Sequence, residues 1–328
     1  MSLRVGVDLG ATKIQTLVVA ADGGVAGRHR AASPAAGGPA AVLKTVAKSI
    51  RRALASADTA PDDLTAIGIG APGQVDTVTG VVLYATNLEG WGQPVPVADV
   101  LRAEFGVPVV LANDVQASVV GEHRLGAGSD SNSMLGIFCG TGVGGGVIIG
   151  GRLWTGRGSA GEIGHTVVWP GGDLCGCGRR GCLEAYAGRL SLEQRARQEQ
   201  EQGRPTVLFD LMQEQGRKRL TSRVWADALA QHDELAMHLI EQAMRAIGIA
   251  AGSAANLLDI DCIVIGGGLA TRLGEPFVEG IRIAAEPIML RVECAREIRL
   301  STLGDDCGAL GAALIATDRV AAADLPPS

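Results

Sequence analysis

L-R-V-G-V-D-L-G-A-T-K-I-Q-T-L-V-V-A, residues 3 to 20, is the stretch on which the fold turns. Leu3 to Asp8 reads as a strand, Leu9-Gly10-Ala11-Thr12 reverses the chain, and Lys13 to Ala20, rich in β-branched residues, returns beside it. This hairpin gathers a carboxylate (Asp8), a tight turn (Gly10), a hydroxyl (Thr12) and an ammonium (Lys13). Phosphoryl transfer needs those parts: an acid near a metal ion, donors for phosphate oxygens and a cation for developing charge. Taken alone, an ordinary polar hairpin is the plainer alternative.

The layout recurs. Ser133 to Cys139 reads as a strand, Gly140 to Gly146 as a glycine turn and Val147 to Ile149 as the return strand. Two such units suggest internal duplication, with the turns on either side of a cleft. The run Gly140-Thr141-Gly142-Val143-Gly144-Gly145-Gly146 formally contains G-x-G-x-x-G, but a dinucleotide fingerprint requires a helix next, and V-I-I-G-G-R-L-W is strand. The V-A-I-K and H-R-D signatures of protein kinases are absent, as is a Walker A motif. Backbone N–H groups of a glycine hairpin can still converge on phosphate, with a structural turn as the plainer alternative.

Pro39 to Ala57 has apolar residues at helical spacing, Leu64 to Gly70 is a strand running into Ala71-Pro72-Gly73, and Asp99 to Phe105 is a short helix. The strand Val107 to Leu111 stops at Asn113-Asp114, ahead of a helix. Capping a helix needs only one such residue, so the pair also reads as a carboxylate at the carboxyl edge of a sheet, where α/β proteins bind ligands. Leu183 to Asp233 reads as several helices, with Leu192 to Gln202 a solvated face. Glu234 to Leu258 is a long small-residue helix. Cys262 to Ile265 is a strand entering Gly266-Gly267-Gly268, helix continues to about Leu290, and Leu310 to Val320 closes the chain as a helix.

Gly161 to Glu184 carries a different chemistry. His165, Cys175, Cys177 and Cys182 form a four-ligand set of the kind that holds structural zinc, leaving no open position for water. Glu162 and Glu184 bracket the cluster without being needed for it. His29, His123, His232 and His238 have no such company and read as surface or packing residues.

With 328 residues the chain exceeds one usual core, so two domains are expected. Aromatics make up 3%, the net charge is −6 and no basic stripe occurs, which argues against nucleic acid as a partner. Glycine numbers 47, roughly twice its usual share of about 7%, implying tight turns or close backbone approach. Cys139, Cys262, Cys294 and Cys307 are scattered singly and read as buried small hydrophobes in a reducing compartment. Arg4 and Asp8 interrupt the first apolar run, arguing against a signal peptide, and no long apolar span occurs, so a soluble cytoplasmic protein is expected.

Together the motifs resemble the ROK family of bacterial sugar kinases and repressors: D-L-G-A-T-K from Asp8, G-A-P-G from Gly70, N-L-E-G-W from Asn87, N-D from Asn113, G-T-G-V-G-G-G from Gly140, A-G-E-I-G-H from Ala160, C-G-C-G-R-R-G-C-L-E from Cys175, G-G-G from Gly266 and G-A-L-G-A-A from Gly308. The resemblance implies an α/β fold of the actin-like ATPase (ribonuclease H-like) kind, with two lobes around an interdomain cleft: residues 1–112 with about 310–328, and 113–309 carrying the zinc. It also implies ATP with Mg²⁺ as cofactor beside the structural Zn²⁺, and a homo-oligomer, dimer or tetramer. By the same resemblance Asp8, Gly10, Thr12 and Lys13 form a first phosphate loop, Gly140, Thr141 and Gly142 a second, and Gly266, Gly267 and Gly268 a nucleoside contact. Gly73, Asn87, Asn113, Asp114, Glu162, His165 and Glu184 would bind a hexose, with Asp114 the catalytic base. Glucose phosphorylated at its 6-hydroxyl is the expected reaction. Mannose, fructose, N-acetylglucosamine and N-acetylmannosamine are alternative acceptors, and polyphosphate is an alternative donor. A sugar-sensing repressor is less expected, since the first strand begins within five residues of Met1 and leaves no room for a preceding helix-turn-helix.

Overall fold

A computed structural model describes residues 3–60, 63–291 and 297–323. The chain divides into two compact units, Met1–Ser129 with Asp305–Ser328, and Asp130–Gly304. The lobe boundary expected before Asn113 therefore moves. Asn113 ends a strand of the first unit's sheet, and the helix that follows packs on that same sheet, so both stay with the first unit.

The first unit contains β1 (Leu3–Leu9), β2 (Lys13–Val19), β3 (Val25–Ala32), α1 (Gly38–Ser56), β4 (Leu64–Ala71), β5 (Gln74–Asp76), β6 (Val81–Tyr84), α2 (Val97–Phe105), β7 (Val109–Asn113), α3 (Asp114–Leu125) and the final helix α11 (Cys307–Ala323). Its sheet has the order β3-β2-β1-β4-β7, antiparallel from β3 to β1 and parallel from β1 to β7. Alternation along the strands sends Val5, Val7, Leu9, Ile67 and Ile69 into a core with Val46, Ile50 and Leu54 of α1 and Leu101 of α2. Each such fully buried aliphatic side chain contributes about 1.5–3 kcal/mol. The opposite face is built for close approach. A Cβ on Gly6 would lie 1.8 Å from the carbonyl oxygen of Ala309, and one on Gly68 1.9 Å from that of Ala312. With no side chain there, α11 lies directly on the backbone of β1 and β4.

The second unit contains β8 (Met134–Cys139), β9 (Val143–Ile149), β10 (Arg152–Trp154), a 3-10 turn (Ile163–His165), α4 (Glu184–Ala187), α5 (Arg189–Glu201), α6 (Leu208–Glu214), α7 (Ser222–Ala230), α8 (Glu234–Leu258), β11 (Cys262–Gly266), α9 (Gly267–Leu273), α10 (Glu275–Ala285) and β12 (Ile298–Leu300). Its sheet order, β10-β9-β8-β11-β12, repeats the antiparallel and parallel pattern of the first. Each unit thus opens on a hairpin whose first strand is flanked by a parallel neighbour, as the repeated sequence layout suggested.

Three expectations shift. The second turn ends at Gly142, because β9 begins at Val143 and Gly144 to Gly146 pair with Phe138 to Gly136. These glycines make room: a Cβ on Gly145 would lie 2.8 Å from the carbonyl oxygen of Gly161, where the chain crosses the sheet. The helix after β11 breaks at Gly274, whose φ of +71° needs glycine, and restarts with Pro276 in its first turn. The strand expected from Val107 to Leu111 lies two residues later, at Val109–Asn113. Cys139 and Cys262 are buried and Cys307 partly so, whereas Cys294 lies outside the described residues. Among the described residues no helix is long and apolar enough to cross a membrane.

Candidate functional site

In the first unit the predicted residues gather at the carboxyl edge of the parallel strands. Asp8 pairs in register with Gly70 on β4, and Ala71 with Asn113 on β7. Asp8, Gly70 and Asp114 lie on the α3 and α11 face: a Cβ on Gly70 would meet the Cα of Asp114 at 3.4 Å, and one on Gly308 would meet Asp8 Cγ at 2.9 Å. Asn113 caps α3, its Oδ1 accepting from the N–H groups of Val115 (3.0 Å) and Gln116 (3.2 Å), while its Nδ2 donates to the carbonyl of Gly73 (3.3 Å). Asn113 therefore supplies the helix cap, while Asp114 Oδ1 accepts from the Val115 N–H (2.9 Å) and its carboxyl is further held by the Asn113 side chain.

Electrostatics distinguish these carboxyls. Both keep partial contact with solvent yet are ringed by protein. Burial raises Asp114 from 3.8 to about 7, the Asp8 charge adds to the rise, and its backbone hydrogen bonds oppose it. Burial likewise raises Asp8 to about 6, against the pull of Lys13. A carboxyl that titrates near neutrality is poised to accept a proton. Gly10 N–H donates to the Lys13 carbonyl at 2.9 Å, closing the hairpin turn. Lys13 Nζ lies 2.6 Å from Asp305, a partner that sequence reasoning missed because it comes from the far end of the chain. Thr12 is exposed on the same turn. Asn87 is exposed in the turn after β6, and among the described residues no hydrogen bond ties its side chain to this edge.

In the second unit, Gly140–Gly142 ends β8, and Gly266–Gly268 ends its parallel neighbour β11 and begins α9. Gly140 N–H donates to the Gly142 carbonyl (2.9 Å). The segment after the cysteines holds this turn. Arg189 N–H donates to the Gly140 carbonyl (3.2 Å), Leu190 N–H donates to the Thr141 carbonyl (3.1 Å), and Glu184 Oε2 accepts from Val143 N–H (3.0 Å). Glu184, expected to face a sugar, touches the glycine turn through Oε2 and has Oε1 3.6 Å from Cys175 Sγ. Glu162 is exposed at the start of the 3-10 turn that carries His165.

The donor atoms of His165, Cys175, Cys177 and Cys182 all lie within 4.8 Å of one another. Cys177 and Cys182 Sγ are 3.8 Å apart, and His165 Nδ1 is 3.8 Å from Cys175 Sγ. Tetrahedral zinc with Zn–S of about 2.3 Å spaces its sulfurs about 3.8 Å apart, so the set fits the ion in number, type and spacing. Burial pushes Cys175 up to about 12 and raises Cys182, whereas hydrogen bonds from Arg179 pull Cys177 down to about 6. A cation would offset the cost of holding the two buried sulfurs as thiolates.

Two sheets of one topology, with glycine turns at the ends of their first strands, define an actin-like ATPase fold. The ROK family model matches residues 4–319, and the chain belongs to that family. A glucokinase of Halalkalibacterium halodurans is 33% identical over 94% of this chain and 92% of its own. A ROK hexokinase of Thermus thermophilus superposes with a TM-score of 0.80 at 34% identity, covering 98% of this chain and 99% of its own. A ROK glucokinase of Streptomyces griseus, in complex with glucose and AMPPNP, superposes with a TM-score of 0.81 at 32% identity, covering 97% and 100%.

Proposed function

We propose that this protein transfers the γ-phosphoryl group of ATP to the 6-hydroxyl of glucose, with Asp114 as general base. That it is an ATP-dependent sugar kinase follows from its kinship with glucokinases and hexokinases over nearly the whole chain. Glucose as acceptor rests on the glucokinase relatives, and the residue roles are carried by one observation: a carboxyl at the start of α3, just past β7, raised to about 7 beside Asp8 and the first glycine turn. The hydroxyl oxygen attacks the γ-phosphorus, the bond from that phosphorus to the β,γ-bridging oxygen breaks, ADP leaves, and the hydroxyl proton passes to Asp114. Asp8 would hold Mg²⁺, which when bound neutralises charge on the phosphate oxygens. Gly10, Thr12, Lys13, Gly140, Thr141 and Gly142 orient phosphates, and Gly266, Gly267 and Gly268 face the nucleoside.

Gly73, Asn87, Asn113, Glu162, His165 and Glu184 supply the sugar's hydroxyl partners in this reading. Amides and carboxylates paired to vicinal hydroxyls discriminate, because an analogue lacking one leaves a buried group unpaired. The cysteines and His165 hold Zn²⁺ as rigid backing for this loop and not as a catalyst. An N-acetylated amino sugar is the second acceptor class, since the same donor set meets its hydroxyls. ADP release with a sugar panel, and with ATP or polyphosphate, gives kcat/KM for each pair. Highest kcat/KM with glucose and ATP is expected; a larger value with an amino sugar would replace glucose as the acceptor. Release independent of any sugar would overturn the reading.

A further inference from the structure

The first residue of α5 is a feature that this scheme does not use. Arg189 is half-buried, and its backbone N–H already holds the Gly140 carbonyl (3.2 Å). Its side chain runs between the two glycine turns of the second unit. Nη2 lies 3.5 Å from Thr141 Oγ1, and Nη1 lies 3.9 Å from the position that a Cβ on Gly268 would take. Ser222 Oγ approaches the same Gly268 position to 3.5 Å. One guanidinium thus reaches both the turn assigned to phosphates and the turn assigned to the nucleoside.

Among the described residues that cation has a hydroxyl partner, Thr141, but no acid. Among the described residues no carboxylate lies within ion-pair distance of Arg189, whereas Arg195, Arg282 and Arg299, comparably enclosed, are each paired to acids. Glu193, the acid that acts on Arg189 through space, is fully engaged: it accepts from Arg197 (2.9 Å) and from Leu220 N–H (2.9 Å), and Arg219 stands 3.7 Å away. Burial lowers the Arg189 pKa from its ordinary value, a cost that a fixed anion would offset. A planar, permanently charged fork that meets a hydroxyl and no carboxylate is suited to two phosphate oxygens at once.

We infer that Arg189 is a phosphate ligand for the nucleotide donor, bridging the Thr141 and Gly268 turns and binding the diphosphate that ADP and ATP share. The inference rests on the kinase reading above. It makes the exit of the zinc loop a part of the donor site: Cys182, Glu184 and Arg189 follow one another in sequence, and the last two hold the Gly140–Gly142 turn.

The test is calorimetric binding of ADP and of adenosine to the full chain, with Arg189→Gln and Arg189→Lys as variants. Wild type should bind ADP. Arg189→Gln should weaken ADP by about 10- to 100-fold, the scale of one charge-assisted contact, while leaving adenosine binding and bound zinc unchanged. Arg189→Lys should recover part of the ADP affinity, since it keeps the charge but loses the fork. If Arg189→Gln misfolds, the lysine variant decides alone, by a loss of ADP binding without a loss of adenosine binding. Equal loss for adenosine and ADP would assign Arg189 a merely structural role and overturn the inference. Wild-type ADP affinity in Arg189→Gln, in a protein whose wild type releases ADP from ATP and a sugar, would overturn it while leaving the kinase reading intact. A wild type that binds no nucleotide would sink both.

Discussion

Replacing Asp114 by asparagine should slow catalysis sharply and, at alkaline pH, stabilise the protein. The side chain is nearly isosteric, and its Oδ1 can keep the acceptor role toward Val115 N–H. What changes is charge. A folded pKa raised from 3.8 to about 7 means that the protonated form is favoured by the fold. The associated stability is present below the unfolded value near 4 and is lost as pH rises through about 7. The full shift corresponds to about 4 kcal/mol at alkaline pH, a ceiling that the partly solvated side chain reduces to about 2 kcal/mol. For a protein of this size that is roughly 3 °C in Tm. Calorimetry at pH 8 should therefore show Asp114→Asn melting above wild type, with the gap closing toward pH 4. In the same samples kcat should fall by about 10²- to 10⁴-fold, the usual worth of a positioned base. A variant less stable than wild type at pH 8 would refute the electrostatic account of this edge. Full activity would refute the base assignment.

Other perturbations address the remaining parts. kcat/KM for wild type should rise with pH through about 7 as Asp114 loses its proton; a profile flat from pH 5 to 8 would contradict that. Cys177→Ser removes an exposed member of the cluster at little packing cost, so metal analysis should show loss of the zinc proposed for it, with KM raised for sugar and nucleotide alike; unchanged KM values would show that the cluster supports neither. Gly142→Ala places a Cβ 2.2 Å from Glu184 Oε2, and that flexible carboxylate must swing away from Val143. The expected result is a raised nucleotide KM with a Tm close to wild type, and an unaltered KM would detach Glu184 from the turn. Gly68→Ala meets the backbone of α11 at 1.9 Å, where nothing can yield cheaply, so about 3 kcal/mol or more of stability should be lost in denaturant titration.

Local chemistry made much of this legible before any coordinates. The opening hairpin, the helix Glu234–Leu258 and the strand ending at Asn113 are written in periodicity and caps, and the cysteine set in ligand spacing. What stayed hidden depends on partners remote in sequence. Gly144 to Gly146 looked like turn because glycine usually marks one, yet they lie in a strand where residues 161 to 163 cross the sheet. The edge strand β3 carries Arg28, His29 and Arg30, an exposed pattern without the apolar alternation that marks a strand. Lys13 could be read as a free cation only until Asp305 came beside it. Arg189 carried one faint signal, a glycine directly before it, and gained meaning only when two turns distant in sequence met around its side chain.

The placement of α11 bears on how the chain is made. Its small residues rest on Gly6, Gly68 and Ala117, so the first unit begun by the ribosome is the last to be completed. The second unit is continuous and can close as soon as residue 304 has emerged, whereas the face of β1 and β4 must wait, uncovered, for Ala309 and Ala312. Nascent chains released before that helix should present this glycine-lined surface to chaperones or to one another, and pulse proteolysis of stalled chains should find the middle of the sequence protected before its beginning.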